Sequence, residues 1–354
     1  MISYSLFNLL MPLSVIYSLI LNSLVSLHLF SPPSPPSSQT CSAVSSGVAI
    51  VTGSNTGVGY ATALALAGCG RTVVIACRSE EKGRKAVDDI NEETGTKNAV
   101  WVERLDLNSF LSVRRFADAI KGKYDKISIL VNNAGINTSG ISADKLDQCF
   151  QVNYLSHFLL TDLLLPEILA SGSGRVVNLS SVMHHFGSDF SSRSDWISAA
   201  LPSAPNAYAN SKLAAVVFTK ELNRRYGEKG LRSIAVNPGA VNSDIWRSFN
   251  PTLRKYILGP LFDKVYLDTR QGATASFAAA TGLSFSPSVV YLQPYWLPFN
   301  KLGVGGEGEV MYKGTHPAFE MLGVHVGYAS VEPRVPEGGG EGLWEASKEA
   351  VGIR

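Results

Sequence analysis

From residue 47 onward, short β-branched apolar runs alternate with longer stretches of helical periodicity. The runs are Val48–Val51, Thr72–Ala76, Ala99–Leu105, Ile127–Val131, Arg175–Leu179 and Arg232–Val236. Between them the pattern predicts helices over Gly59–Ala67, Glu80–Asn91, Ser109–Lys121, Ala143–Leu169 and Ser211–Tyr226. Continuous apolar strands separated by helices imply a parallel sheet covered on both faces. Right-handed crossovers then wind it into one α/β domain with a doubly wound sheet. Past residue 245 the signal thins. Arg270–Thr281 is predicted as a helix, Val289–Leu292 as a last strand and Leu343–Val351 as a closing helix. Residues 293–340, rich in Gly, Pro and aromatics, read as irregular.

The first 46 residues have another character. Met1–Phe30 contains no Asp, Glu, Lys or Arg. An apolar run of about twenty residues is long enough to span a bilayer. It lacks the basic start of a secretory signal or transit peptide, so membrane attachment competes with cleavage. Attachment would place the protein on the endoplasmic reticulum or another organelle, in an orientation the distant first cation, Arg71, leaves unread. Residues 31–46 form a Pro/Ser-rich linker. The organisation is therefore a hydrophobic segment 1–30, a linker 31–46 and a domain 47–354 whose part beyond 245 is variable.

Composition narrows the classes. The 354 residues are 45% hydrophobic and 17% charged, enough for a large core and against disorder. A net charge of +2 carries no polyanion signature, so nucleic acid is not expected as a partner. Cys41, Cys69, Cys77 and Cys149 lack ligand or framework spacing and are expected as free thiols. No metal is expected: His184 and His185 would point apart on an extended chain, with no third ligand evident.

Val48–Val51 leads into Gly53-Ser54-Asn55-Thr56-Gly57-Val58-Gly59 and an Ala-rich helical run. Strand, glycine turn and helix start together make a pyrophosphate site of the Rossmann-like type. Gly303, Gly305 and Gly308 also match GxGxxG, but no buried strand precedes them, and they read as a loop.

Tyr208 and Lys212 stand at i and i+4, on one helix face. An ammonium there would lower the phenol pKa and suit Tyr208 to acid/base work on a carbonyl/alcohol pair, against the alternative of a surface pair. Ser181 is able to hydrogen-bond the same oxygen, and the Asn153 amide to position a water leading from Lys212 to solvent. For Asn153 the alternative is a helix polar group satisfied locally.

The glycine spacing TGxxxGxG resembles the short-chain dehydrogenase/reductase family. So do Asn132-Asn133-Ala134-Gly135 after the fourth strand, Asn153 in the next helix, Ser181 ending the fifth strand and Tyr208-Ala-Asn-Ser-Lys212. Asn237-Pro238-Gly239 follows the sixth strand, with Ser243 where the family often has Thr. The resemblance covers about residues 46–245. It implies that Tyr208 exchanges the proton, Lys212 also binds the nicotinamide ribose, Ser181 orients the substrate and Asn153 supports a proton relay. It further implies that Asp106-Leu107 contacts adenine, although Asp106 would equally cap the helix beginning near Ser109.

Where NAD binding calls for an acid after the second strand, this chain has Cys77-Arg78. Arg78 is suited to a 2′-phosphate, so NADP(H) is expected over NAD(H). Ala76–Gly83 and the stretch Met183-His184-His185-Phe186-Gly187 resemble the retinol dehydrogenase-like and WW-domain-oxidoreductase-like branch, without a WW domain. That implies a lipophilic alcohol, aldehyde or ketone as substrate. Other readings are a nucleotide sensor or partner-binding protein on the same fold, which would not need Tyr208 with Lys212, and a pigment-precursor reductase. The aromatic Tyr291–Phe299 segment would line a substrate pocket or touch a bilayer. The long helix 143–169 would either face a second subunit, making a homodimer, or pack on the sheet.

Overall fold

The computed structural model describes residues 47–96, 100–239, 241, 268–281, 291–295, 310–314, 326–330 and 339–353. The hydrophobic segment 1–30, the linker, Cys41, Ser243 and the Gly303/Gly305/Gly308 stretch lie outside the described residues.

Strands and helices alternate as β1 (Val48–Thr52), α1 (Gly57–Gly68), β2 (Thr72–Cys77), α2 (Glu80–Thr94), β3 (Val100–Arg104), α3 (Phe110–Lys121) and β4 (Ile127–Asn132). Then comes α4, built of a turn Gln148–Phe150, a π-helical turn Gln151–Leu155 and an α-helix Ser156–Ala170. It is followed by β5 (Arg175–Leu179), a 3₁₀ turn Val182–Phe186, α5 (Arg193–Ala199), α6 (Ala207–Tyr226) and β6 (Arg232–Val236). The late elements are α7 (Thr269–Thr281), β7 (Tyr291–Tyr295), β8 (Val310–Gly314), β9 (Val326–Ser330) and α8 (Gly339–Val351).

The sheet runs β3-β2-β1-β4-β5-β6-β7-β9-β8. Every pair from β3 to β7 is parallel, and β7, β9 and β8 pair antiparallel. Strand order reverses between β1 and β4, which opens a crevice at their carboxyl ends. Alternate residues of each strand feed two cores. Val48 and Ile50 face Phe110, Phe116, Phe158 and Phe218 from α3, α4 and α6. Ala49 and Val51 face Leu64, Leu66 and Ala273 from α1 and α7. This two-faced burial is why the central strands read as unbroken apolar runs.

Three expectations change. Residues 293–340 are not wholly irregular, since they contain β8 and β9. Short antiparallel strands containing glycine leave little pattern. The last parallel strand starts at Tyr291. Cys77 and Cys149 are free, but Cys69 is disulfide-bonded, a pairing set by spatial approach that sequence spacing does not report. Among the described residues no helix is long and apolar enough to cross a membrane.

Candidate active site

The crevice is built first by glycines. Gly53 and Gly57 have φ of +65° and +66°. A Cβ on Gly53 would lie 2.9 Å from the Ala134 Cα, and one on Gly59 would lie 2.7 Å from the Gly53 carbonyl and collide with the Asn133 amide. A Cβ on Gly57, in contrast, would meet nothing within 4 Å. The loop thus leaves open space over the start of α1, whose Thr56 side chain does not cap it. Helix-start N–H groups facing such a space suit a pyrophosphate. Asn55 is half-buried and Thr56 exposed, whereas Ser54 and Val58 turn inward. The Ser54 hydroxyl donates to the Val51 carbonyl at 2.6 Å, so only its backbone remains for a ligand.

The same loop is tied to the segment after β4. Thr52 Oγ1 accepts from the Asn133 and Ala134 N–H groups at 2.9 and 3.0 Å, and Asn133 Nδ2 donates to the Thr52 carbonyl at 2.7 Å. Thr52 is a structural hub that sequence reading passed over, because a Thr ending a strand carries no distinctive signal.

Ser181, Tyr208, Lys212, Asn153 and Gly135 converge at the carboxyl ends of β4 and β5. Ser181 lies near enough to the Tyr208 phenol to act on its proton. The Lys212 ammonium sits 5.5 Å from the Tyr208 ring centroid and donates to the Leu179 carbonyl at 3.0 Å. A Cβ on Gly135 would lie 3.4 Å from Asn153 Oδ1 and 3.5 Å from Lys212 Nζ, so glycine leaves the ammonium approachable.

One expectation about these groups is corrected. Burial pushes the Tyr208 phenol up to about 12, with Ser181 pulling the other way. The phenol is neutral at pH 7, not phenolate-like, because desolvation penalises its charged form. Burial also brings Lys212 down to about 8. The Asn153 amide is held by the protein on both its atoms, with a second lone pair of Oδ1 left over. It accepts from the Ile136 N–H at 2.8 Å and donates to the Ile136 carbonyl at 2.9 Å and Ser211 Oγ at 3.0 Å.

The remaining candidates divide. Arg78 is exposed just beyond β2 and makes no ion pair among the described residues. Cys77 turns into the core. Asp106 accepts from the Asn108 N–H at 3.0 Å, while Ser109 caps α3, so the capping alternative for Asp106 fails. The Leu107 side chain is buried in the core with residues of α3 and α4. Pro238 and Gly239 follow β6, Gly239 has φ +85°, and its N–H donates to Asn237 Oδ1 at 3.0 Å.

His184 and His185 do not point apart. They lie in the 3₁₀ turn after Ser181 with ring centroids 3.9 Å apart, because the chain there is helical rather than extended. Burial, together with His185, brings His184 down to about 3. Asn178, whose Asn-Leu-Ser sequence matches a glycosylation acceptor, is buried with its amide nitrogen on Thr219 and Ser233.

Residues 47–254 match the profile of the short chain dehydrogenase family. Mouse retinol dehydrogenase 12 is 39% identical over 247 residues, covering 68% of this chain and 75% of that protein. Bovine dehydrogenase/reductase SDR family member 13 is 38% identical over 239 residues, and the matched region spans 68% of this chain but only 63% of the relative. A crystal structure of an uncharacterized protein from Mycobacterium paratuberculosis superposes with a TM-score of 0.60 over 89% of this chain and 97% of that one, at 27% identity. Gluconobacter frateurii L-sorbose reductase, solved with NADPH and L-sorbose, shares the fold at 21% identity, TM-score 0.55, over 70% of this chain and 95% of that one.

Proposed function

The chain belongs to the short-chain dehydrogenase family, and from that premise we propose that it interconverts a lipophilic alcohol and its aldehyde or ketone with NADP(H). The observation that carries this reading is the convergence of Ser181, Tyr208 and the buried Lys212 beside the glycine crevice.

A nicotinamide dinucleotide, when bound, supplies or accepts the hydride. The chain's own residues handle the oxygen. In reduction the neutral Tyr208 phenol donates its proton to the carbonyl oxygen, and Ser181 donates a hydrogen bond to the same atom. The Lys212 ammonium stabilises the phenolate that results and, past Gly135, is placed to hold a ribose hydroxyl. Asn153 acts by fixing the Ile136 backbone and Ser211. The pyrophosphate would lie over Gly57 at the start of α1, with Asn55 and Thr56 beside it. Asn133, Ala134 and Gly135 would flank the nicotinamide ribose, with Pro238, Gly239 and Ser243 on the other side. Asp106 would stand near adenine.

Arg78 supports NADP(H), as a free cation where a 2′-phosphate would sit. Lipophilicity is supported by Val182 and Phe186, exposed on the turn carrying Ser181, and by Leu201, exposed ahead of Tyr208. Two of the relatives' names, retinol dehydrogenase 12 and 13, agree with such a substrate. The charge-free run 1–30 supports membrane attachment, in the endoplasmic reticulum or another organelle. The apolar residues of α4 pack into the core with α3 and α6, which favours packing within the chain over a homodimer face for this helix.

The test follows NADPH consumption by the full chain with retinal-like, steroid and small polar carbonyls, beside Tyr208→Phe. Turnover of the lipophilic members that falls at least a hundredfold in the variant supports the reading. Dinucleotide binding without turnover would favour a sensor, and preference for small polar ketones would remove the lipophilic assignment.

A further inference from the structure

His157 belongs to none of the motifs, yet it is fully enclosed one turn beyond Asn153 in α4. Its two ring nitrogens reach opposite sides of the crevice. Nδ1 lies 3.1 Å from the Asn153 carbonyl oxygen, and Nε2 lies 2.9 Å from Thr52 Oγ1. These partners fix the proton. A carbonyl only accepts, so Nδ1 carries the hydrogen and Nε2 is the acceptor. The Thr52 hydroxyl then donates to Nε2, and its lone pairs accept the Asn133 and Ala134 N–H groups.

The backbone around Asn153 is not regular α-helix. Gln151–Leu155 is π-helical, and the Ser156 N–H reaches back to the Gln151 carbonyl. A widened turn disturbs the regular donor-to-carbonyl ladder. The His157 ring supplies a side-chain donor to Asn153 within that disturbed turn.

We infer that His157 is a positioning residue: as the neutral Nδ1–H tautomer it clamps the Thr52 hub of the glycine loop to the π-helical turn that presents Asn153. The inference rests on the proposed dinucleotide-dependent reading for its functional consequence, but not for its geometry. One arm of the clamp sets the Asn133–Ala134 segment that would flank the dinucleotide. The other sets Asn153, which holds Ile136 and Ser211 beside Lys212. Burial keeps the ring neutral, at about 4, with Lys212 adding to the effect. It is the charged group shown to act on the ring.

Two substitutions separate the arms. In His157→Asn the amide nitrogen takes the place of Nδ1 and keeps the donor to Asn153, but the Thr52 partner is lost. In His157→Gln the longer amide reaches the Nε2 position and keeps Thr52, but the Asn153 donor is lost. His157→Phe keeps volume and loses both. For His157→Asn the dinucleotide Kd should rise about tenfold with kcat at saturation within about threefold of wild type. For His157→Gln kcat should fall about tenfold with Kd within about threefold. Equal, small changes in both parameters for both variants, with only Tm lowered, would overturn the inference and leave His157 as packing.

A measurement on the wild-type full chain covers the case in which the variants do not fold. Nitrogen-15 NMR of labelled histidines, with the enzyme free of dinucleotide, should show two rings protonated at Nδ1 and unchanged from pH 8 to pH 5. They are those of His157 and of His184, whose Nδ1 also faces a carbonyl, that of Ser181, at 2.7 Å. The His157 ring is the one in contact with Thr52. Absence of an Nδ1-protonated ring in contact with Thr52 would overturn the clamp. If that ring is present and the chain turns over no carbonyl, the oxidoreductase reading fails while the clamp stands.

Discussion

Asn153 grips Ile136 at both of its backbone atoms, accepting from the N–H at 2.8 Å and donating to the carbonyl at 2.9 Å. The pair fastens the loop that continues from Asn133–Gly135 to the π-helical turn of α4. Removing the amide leaves two half-buried backbone groups and Ser211 Oγ without it. Asn153→Ala should therefore lower stability by about 2–4 kcal/mol, since each stranded polar group costs roughly 1–3 kcal/mol before water compensates. Urea unfolding measures this. A variant as stable as wild type would show that water replaces the amide. Activity should fall with stability, because the loop beside Lys212 is released.

Lys212 supplies a pH prediction with a definite sign. Its folded value is about 8, below the ordinary 10.5, because the ammonium is buried. Between those values the unfolded chain binds more protons, so unfolding free energy rises with pH through this window. Below pH 8 the full cost of burying the charge is present, and above 10.5 it is gone. The difference between wild type and Lys212→Met should change by roughly 3 kcal/mol across pH 7–11. Dinucleotide affinity should move oppositely, falling about tenfold for each unit above pH 8 if the charged form is the binding form. Titration calorimetry at pH 7, 8 and 9 checks this. A flat profile would separate Lys212 from the ligand.

The strands were legible because burial on both faces writes an unbroken apolar run. Val48–Val51 and Arg175–Leu179 needed no tertiary information. The glycine loop was legible for a similar reason, since only glycine fits a φ of +65° packed against Ala134. Protonation was not legible. Spacing placed Lys212 beside Tyr208, but not the depth that keeps the phenol neutral. His157 was hidden because a lone His on an apolar helix face reads as core until its partners from a distant strand are known. The His184–His185 contact was missed because nothing in the sequence distinguished a 3₁₀ turn from an extended loop.

Arg78 should decide between the two dinucleotides. It is exposed beyond β2, and the cap of α2 behind it is made by Ser79, so changing Arg78 leaves the helix start intact. Arg78→Asp replaces a cation that suits a 2′-phosphate with a carboxylate that suits a ribose 2′-hydroxyl and repels the phosphate. The ratio of kcat/KM for NADPH to that for NADH should drop at least a hundredfold, or about 3 kcal/mol. Thermal stability should stay within about 0.5 kcal/mol. An unchanged ratio would place the 2′ position elsewhere.

Gly57 and Gly59 stand two residues apart and should fail in different ways. Gly59 lacks space: its Cβ would lie 2.7 Å from the Gly53 carbonyl and against the Asn133 amide. Gly59→Ala must displace the Asn133 bond to Thr52, so it should cost about 2–3 kcal/mol of stability even without ligand. Gly57 has space, with nothing within 4 Å of its Cβ position, but a φ of +66°. Gly57→Ala should cost only about 1–2 kcal/mol, the penalty of the left-handed conformation. Its methyl group, however, enters the volume over the start of α1. Dinucleotide Kd should therefore rise more than a hundredfold in Gly57→Ala although the fold is nearly intact. Denaturation and calorimetry on the same two variants separate the effects. If Gly57→Ala binds NADPH as wild type does, the pyrophosphate does not lie over this loop, and the helix start is only a turn.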